Sequence, residues 1–274
     1  MNRMTSWFVI AALTVALMPA AADPPVEKIT FKDPVGDDHG PGSYTYPTDA
    51  AYTRGSFDLT EFSVSRQGDR LKFDVTVGAR LEDPWEMKTG FAVQMVFIFI
   101  QTDNRQGDGF TDTVPGLNVN FAPADAWDKL VILSPHPPGR VETEVEQKVA
   151  AAQQSSVIVP DRVKGAGRTI STSVELARLG GGDPSKWGYQ VVMQSNEGYP
   201  DGKDLLTRKV NRLAGPHRFG GGTDDDCDPH VIDILAGKGQ GGTDEVPAQH
   251  EMLKYECHPD GTVKQGAALK MVRK

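Results

Sequence analysis

Residues 91–100 read FAVQMVFIFI, with large apolar side chains at both odd and even positions. The run is too short to cross a bilayer as a helix, which takes about 20 apolar residues. It fits a strand buried on both faces, the central strand of a sheet, because successive side chains of a strand point to opposite sides. Nearby, Leu71, Phe73, Val75 and Val77 alternate with Lys72, Asp74 and Thr76, the period of a half-buried strand. Phe57, Leu59, Phe62 and Val64 predict a strand just before it, and Arg66, Gln67, Gly68 and Asp69 the turn between the two. Residues 130–133, 157–159, 169–174 and 189–193 supply further strands. Short strands between Gly, Pro and Asp turns predict an all-β sandwich. Helix is scarce. Residues 174–179, closed by three glycines, predict one short helical turn. Residues 141–154, rich in Glu, Gln and Ala, predict either a longer helix or a mobile insertion, and 245–255 predict a helix near the end.

The first residues carry the three-part pattern of a secretory signal: Arg3, the apolar run WFVIAALTVAL at 7–17, then Pro19 and three alanines. The apolar run is about half the length of a membrane-spanning helix. We expect residues 1–22 to be a signal peptide and 23–274 a single secreted or periplasmic domain. No Cys stands at the cleavage point, which argues against a bacterial lipoprotein, and no later segment is apolar enough for a membrane span. The formal net charge of -8 argues against a nucleic-acid partner, because phosphate binding needs a basic face. In an oxidising compartment, two cysteines, Cys227 and Cys257, predict a disulfide. A metal site is the weaker reading, since two thiols do not complete a tetrahedral set.

Two acidic motifs stand out. The first, DPVGDDHGPGSYTYPT at 33–48, is followed by GSFDL at 55–59. Its glycines and prolines enforce tight turns, which let Asp33, Asp37 and Asp38 converge. The second, FGGGTDDDCDPHVID at 219–233, alternates acids at Asp224, Asp226 and Asp228 as calcium loops do. It is not an EF-hand, because its sixth position is Pro229 and its twelfth is Leu235, where a Glu is required. Carboxylates packed this closely repel unless a cation sits among them. Calcium is the cation expected for an exported protein. The candidate ligands are Asp33, Asp37, Asp38 and Asp58 at the first motif, and Asp224, Asp226 and Asp228 at the second. The alternatives are turn-capping aspartates and a solvated acidic loop.

With these motifs, and with shorter matches at 84–85, 107–109, 117–119, 127–128 and 187–189, the sequence resembles the C-terminal binding module of glucodextranase, also found at the ends of some pullulanases. The resemblance runs from about Ile29 to the end. It implies a jelly-roll β-sandwich with short helical insertions, similar to family 9 carbohydrate-binding modules and DOMON domains. It also implies a non-catalytic role at a polysaccharide, an α-glucan among the options, or at a cell-surface glycan. Two alternatives accompany it: a periplasmic haem-binding, DOMON-like electron-transfer protein, and an accessory protein to glycan-acting hydrolases. Catalytic signatures are missing. There is no Gly-x-Ser-x-Gly elbow, no Cys-x-x-Cys-His, and the His250-Glu251 pair meets Lys254 where a zinc protease has its second His. Sugar recognition needs exposed aromatic faces. Tyr44 and Tyr46, in a Gly/Pro loop, and Trp85 are the candidates, whereas Trp127 and Trp187 precede apolar strands and belong to the core.

Overall fold

The computed structural model describes residues 28–102 and 108–274. The expected signal segment at 1–22, residues 23–27 and Gly107 lie outside the described residues. In chain order the strands are β1 (Ile29–Lys32), β2 (Leu59–Gln67), β3 (Arg70–Val77), β4 (Gln94–Gln101), β5 (Asn120–Phe121), β6 (Lys129–Leu133) and β7 (Val157–Ile158). They continue with β8 (Val163–Ala166), β9 (Thr169–Glu175), β10 (Gly188–Ser195), β11 (Asp233–Ile234), β12 (Glu256–Cys257), β13 (Val263–Gln265) and β14 (Ala268–Leu269). The α-helices are α1 (Pro138–Lys148), α2 (Ala151–Gln154) and α3 (Val246–Met252).

Two five-stranded sheets form the body, one ordered β1-β2-β3-β9-β8 and the other β11-β10-β4-β6-β7. The chain crosses between them after β3, after β7 and after β9. As a result β3 lies beside β9 in one sheet and β4 beside β10 in the other, the wrapped connectivity of a jelly roll. The β2–β3 hairpin turns through Gly68 and Asp69, as the sequence predicts. On β3, Leu71, Phe73, Val75 and Val77 are buried and the residues between them half-buried, so one face of this sheet meets the core and the other meets solvent.

Strand β4 is central in its sheet and buried along its whole length. Val96, Ile98 and Ile100 join Phe31, Phe62 and Phe73 in the core between the sheets. Met95, Phe97 and Phe99 face the other way, into a second cluster with Val141 and Val145 of α1 and with Trp127 and Leu269. Residues 141–154 are therefore helical apart from the extended Val149 and Ala150 between α1 and α2, because this second apolar face needs a cover. A third cluster, of Tyr44, Tyr52, Phe57, Val93, Val210, Phe219 and Ile232, sits beside the starts of β2, β4 and β11. Trp127 and Trp187 are core residues, as expected. No helix among the described residues is long and apolar enough to cross a membrane.

Candidate metal centre

The first acidic motif leaves β1 and is pinned against the starts of β2 and β11. Asp33 follows β1 directly. Its N–H donates to Thr60 O (3.1 Å), and its Oδ1 accepts from the Ala236 N–H (2.9 Å). Asp37 is held through its carbonyl, which accepts from His39 N (2.6 Å) and from Gln249 Nε2 on α3 (2.5 Å). Asp233 opens β11, and its carboxylate accepts from Leu59 N (2.7 Å) and from Ile234 N (2.8 Å). Asp58, just before β2, accepts from Gly36 N (3.0 Å). Its other oxygen packs on Gly78, where a Cβ would lie 2.4 Å away, so only glycine allows this approach. Asp38 accepts from the Tyr46 hydroxyl, which itself accepts from Gly55 N (3.1 Å) and Phe57 N (3.2 Å).

These bonds bring carboxylate oxygens of Asp33, Asp37 and Asp233 within 4.8 Å of one another. The three residues are 2%, 4% and 0% exposed. Asp33 Oδ2 and both Asp37 oxygens are buried with no hydrogen-bond partner. Burial, then the neighbouring Asp37, holds Asp33 well above the ordinary carboxylate range. Burial, then the charges of Asp58 and Asp38, pushes Asp37 up to about 7. Burial raises Asp58 to about 6, and burial followed by Asp33 and Asp37 raises Asp233 strongly. Buried carboxylates without a partner are expensive, and such a group takes a proton or pairs with a cation. An all-oxygen set drawn from separate loops matches the chemistry of a hard divalent cation.

The second motif does not converge in this way. Asp224 accepts from Arg212 N (3.0 Å) and faces its guanidinium at 3.6 Å. Asp226 is paired with Lys209 at 2.5 Å, and Asp228 is buried and accepts from the Thr223 hydroxyl. Cations of the chain itself, brought in from residues 209 and 212, satisfy two of these acids. The motif is instead fixed by the Cys227–Cys257 disulfide, with Cα atoms 5.6 Å apart.

The expected exposure is not found at Tyr44 and is only partial at Tyr46. Tyr44 is 2% exposed, because the Gly/Pro loop folds inward and its hydroxyl donates to Pro229 O. Gly40, at φ 57°, makes room for its ring: a Cβ there would lie 2.3 Å from a ring carbon. Tyr46 is half-buried, with its ring centroid 4.9 Å from that of Phe219. Tyr44 therefore offers no face to a sugar, and the Tyr46 hydroxyl is spent on Asp38. Trp85 stays half-exposed, edge-on to Tyr52 and His217.

The family that matches is described as the C-terminal binding module, SLH-like, of glucodextranase, and it covers residues 29–271. The chain belongs to that family. No curated protein matches it. The module thus includes both acidic motifs and the disulfide. Its convergent carboxylates draw on residues some 200 positions apart, and Asp233 is the member that sequence reasoning missed. Asp233 ends the second motif inside the apolar stretch VIDIL, where an acid on a strand is the one local signal. Tyr199, in a Gly/Pro/Asp turn beside Arg140, is 92% exposed.

Proposed function

We propose that this chain is an exported, non-catalytic glycan-binding module whose fold is secured by calcium. Membership of a binding-module family over nearly the whole chain carries the binding role. The calcium reading rests on Asp33, Asp37 and Asp233, with the charges of Asp58 and Asp38 close enough to act on Asp37. Calcium takes 6 to 8 oxygen ligands at about 2.3–2.6 Å, from carboxylates, carbonyls and water. In this reading it replaces the protons that burial otherwise forces onto the aspartates. The ion would join the segment after β1 to the start of β11, so its role is structural. An α-glucan or a cell-surface glycan is the ligand class. Export rests on the signal pattern at 1–22 and accords with the disulfide.

The test is sedimentation of the purified protein with insoluble glycans, α-glucans first, in millimolar calcium. Depletion from the supernatant without release of reducing ends is expected. Reducing ends would make the chain a hydrolase, and absence from every pellet would refute glycan binding.

A further inference from the structure

A second site lies away from the aspartate cluster, at the disulfide. A cleft of about 320 Å³ opens between residues 113–120, residues 204–209, the 226–230 stretch and the β12–β13 hairpin. Asn118, Asp204, Lys209, Asp226, His230 and Val263 are among the residues that line it. We infer that this cleft is where the module holds a neutral saccharide; the inference rests on the glycan-binding reading above.

The group inventory selects the ligand. Asp204 and Asp226 are acceptors, and Asp204 Oδ2 is buried with no hydrogen-bond partner. Lys209 is a donor, lying 2.5 Å from Asp226. His230 is 2% exposed, and its Nδ1 accepts from the Val210 N–H (3.3 Å). The ring proton therefore sits on Nε2, 3.9 Å from Asp226 Oδ1, where it serves as a donor. Burial, then Lys209, lowers His230 to about 4, so the ring is neutral at physiological pH. Two carboxylates against one ammonium leave a net negative cleft, which repels phosphate, sulfate and nucleotides. A divalent cation is disfavoured too, because Lys209 already pairs with Asp226 and would repel it. Hydroxyls both donate and accept, so a polyol can sit between Asp226, Lys209 and His230 and satisfy all three.

The apolar side of a sugar ring also has a partner. Val263 is 47% exposed and stands opposite Cys257 in the β12–β13 register. The disulfide ties this hairpin to Cys227, itself a cleft residue, and so sets the width of the cleft. The volume falls at the lower end of ligand pockets, about 300–1,000 Å³, which suits a short saccharide or a chain end.

The experiment is a nuclear magnetic resonance titration of the intact protein with maltotriose, isomaltotriose and cellotriose, in calcium. Amide shifts should concentrate at residues 113–120, 204–209, 226–230 and 256–265. Lys209→Met and Asp226→Asn should each weaken binding about tenfold, the loss of one charge-assisted hydrogen bond. Both variants should keep the wild-type melting temperature in calcium within a few degrees, which separates lost recognition from lost fold. Shifts centred on Trp85 or Tyr199, or unchanged affinity in both variants, would overturn this site and leave the glycan-binding reading standing. If none of the trisaccharides moves any resonance and no insoluble glycan retains the protein, both fall together.

Discussion

Replacing Asp37 by Asn should have opposite signs with and without calcium. In chelator, Asp37 carries a penalty, because its folded-state pKa is raised from 3.8 to about 7. Well below pH 3.8 both folded and unfolded chains are protonated there and the penalty is nil. As the pH rises, the unfolded chain ionises first and the folded state loses stability, until about pH 7, where the loss is complete. At about 1.4 kcal/mol per tenfold change in proton affinity, the bound is about 4 kcal/mol. Solvent relaxation around a turn reduces this to about 2 kcal/mol. Asn cannot ionise, so Asp37→Asn in chelator at pH 8 should be more stable than wild type by about that amount, and its stability should fall less between pH 4 and 7. In millimolar calcium the order should reverse, because the variant has lost a ligand. A site filled at a hundred times its dissociation constant adds about 2.7 kcal/mol, and the variant forfeits most of it. Urea denaturation at pH 5 and pH 8, with and without calcium, reads all of this. Equal destabilisation with and without calcium would refute the electrostatic argument and make Asp37 a plain turn residue.

Other perturbations follow from the same geometry. Gly78→Ala places a methyl against the Asp58 carboxylate, and should shrink the calcium-dependent rise in melting temperature by at least half in a thermal melt. Tyr46→Phe removes the hydroxyl that donates to Asp38 and accepts from Gly55 and Phe57, and should lower stability by about 1–3 kcal/mol in denaturant titrations. Reducing the Cys227–Cys257 bond, which spans 30 positions, should lower stability by about 3–4 kcal/mol in the chain-entropy account, seen as a lower melting temperature in reductant.

The sandwich was legible because its strands meet different surroundings on their two faces. Strand β3 alternates because one side is core and the other solvent. Strand β4 is apolar from Met95 to Ile100 because α1 and the later loops cover the side turned away from the sandwich core. The short strands β1, β8 and β11 carry no such period and are set by pairing with longer neighbours. The first acidic motif was legible as a cluster, since its turns are local. Asp233 was not, because its place beside Asp33 is fixed by sheet topology. Nor does local composition reveal that Lys209 and Arg212 neutralise Asp226 and Asp224, or that the Gly/Pro loop turns Tyr44 inward to Pro229.

The most direct measurement is elemental analysis of protein purified without chelator and dialysed against metal-free buffer. About one calcium per chain is expected, and little or none in the Asp33→Asn, Asp37→Asn double variant folded under the same conditions. Wild-type protein that carries no calcium, and whose melting temperature does not respond when calcium is added back, would contradict it.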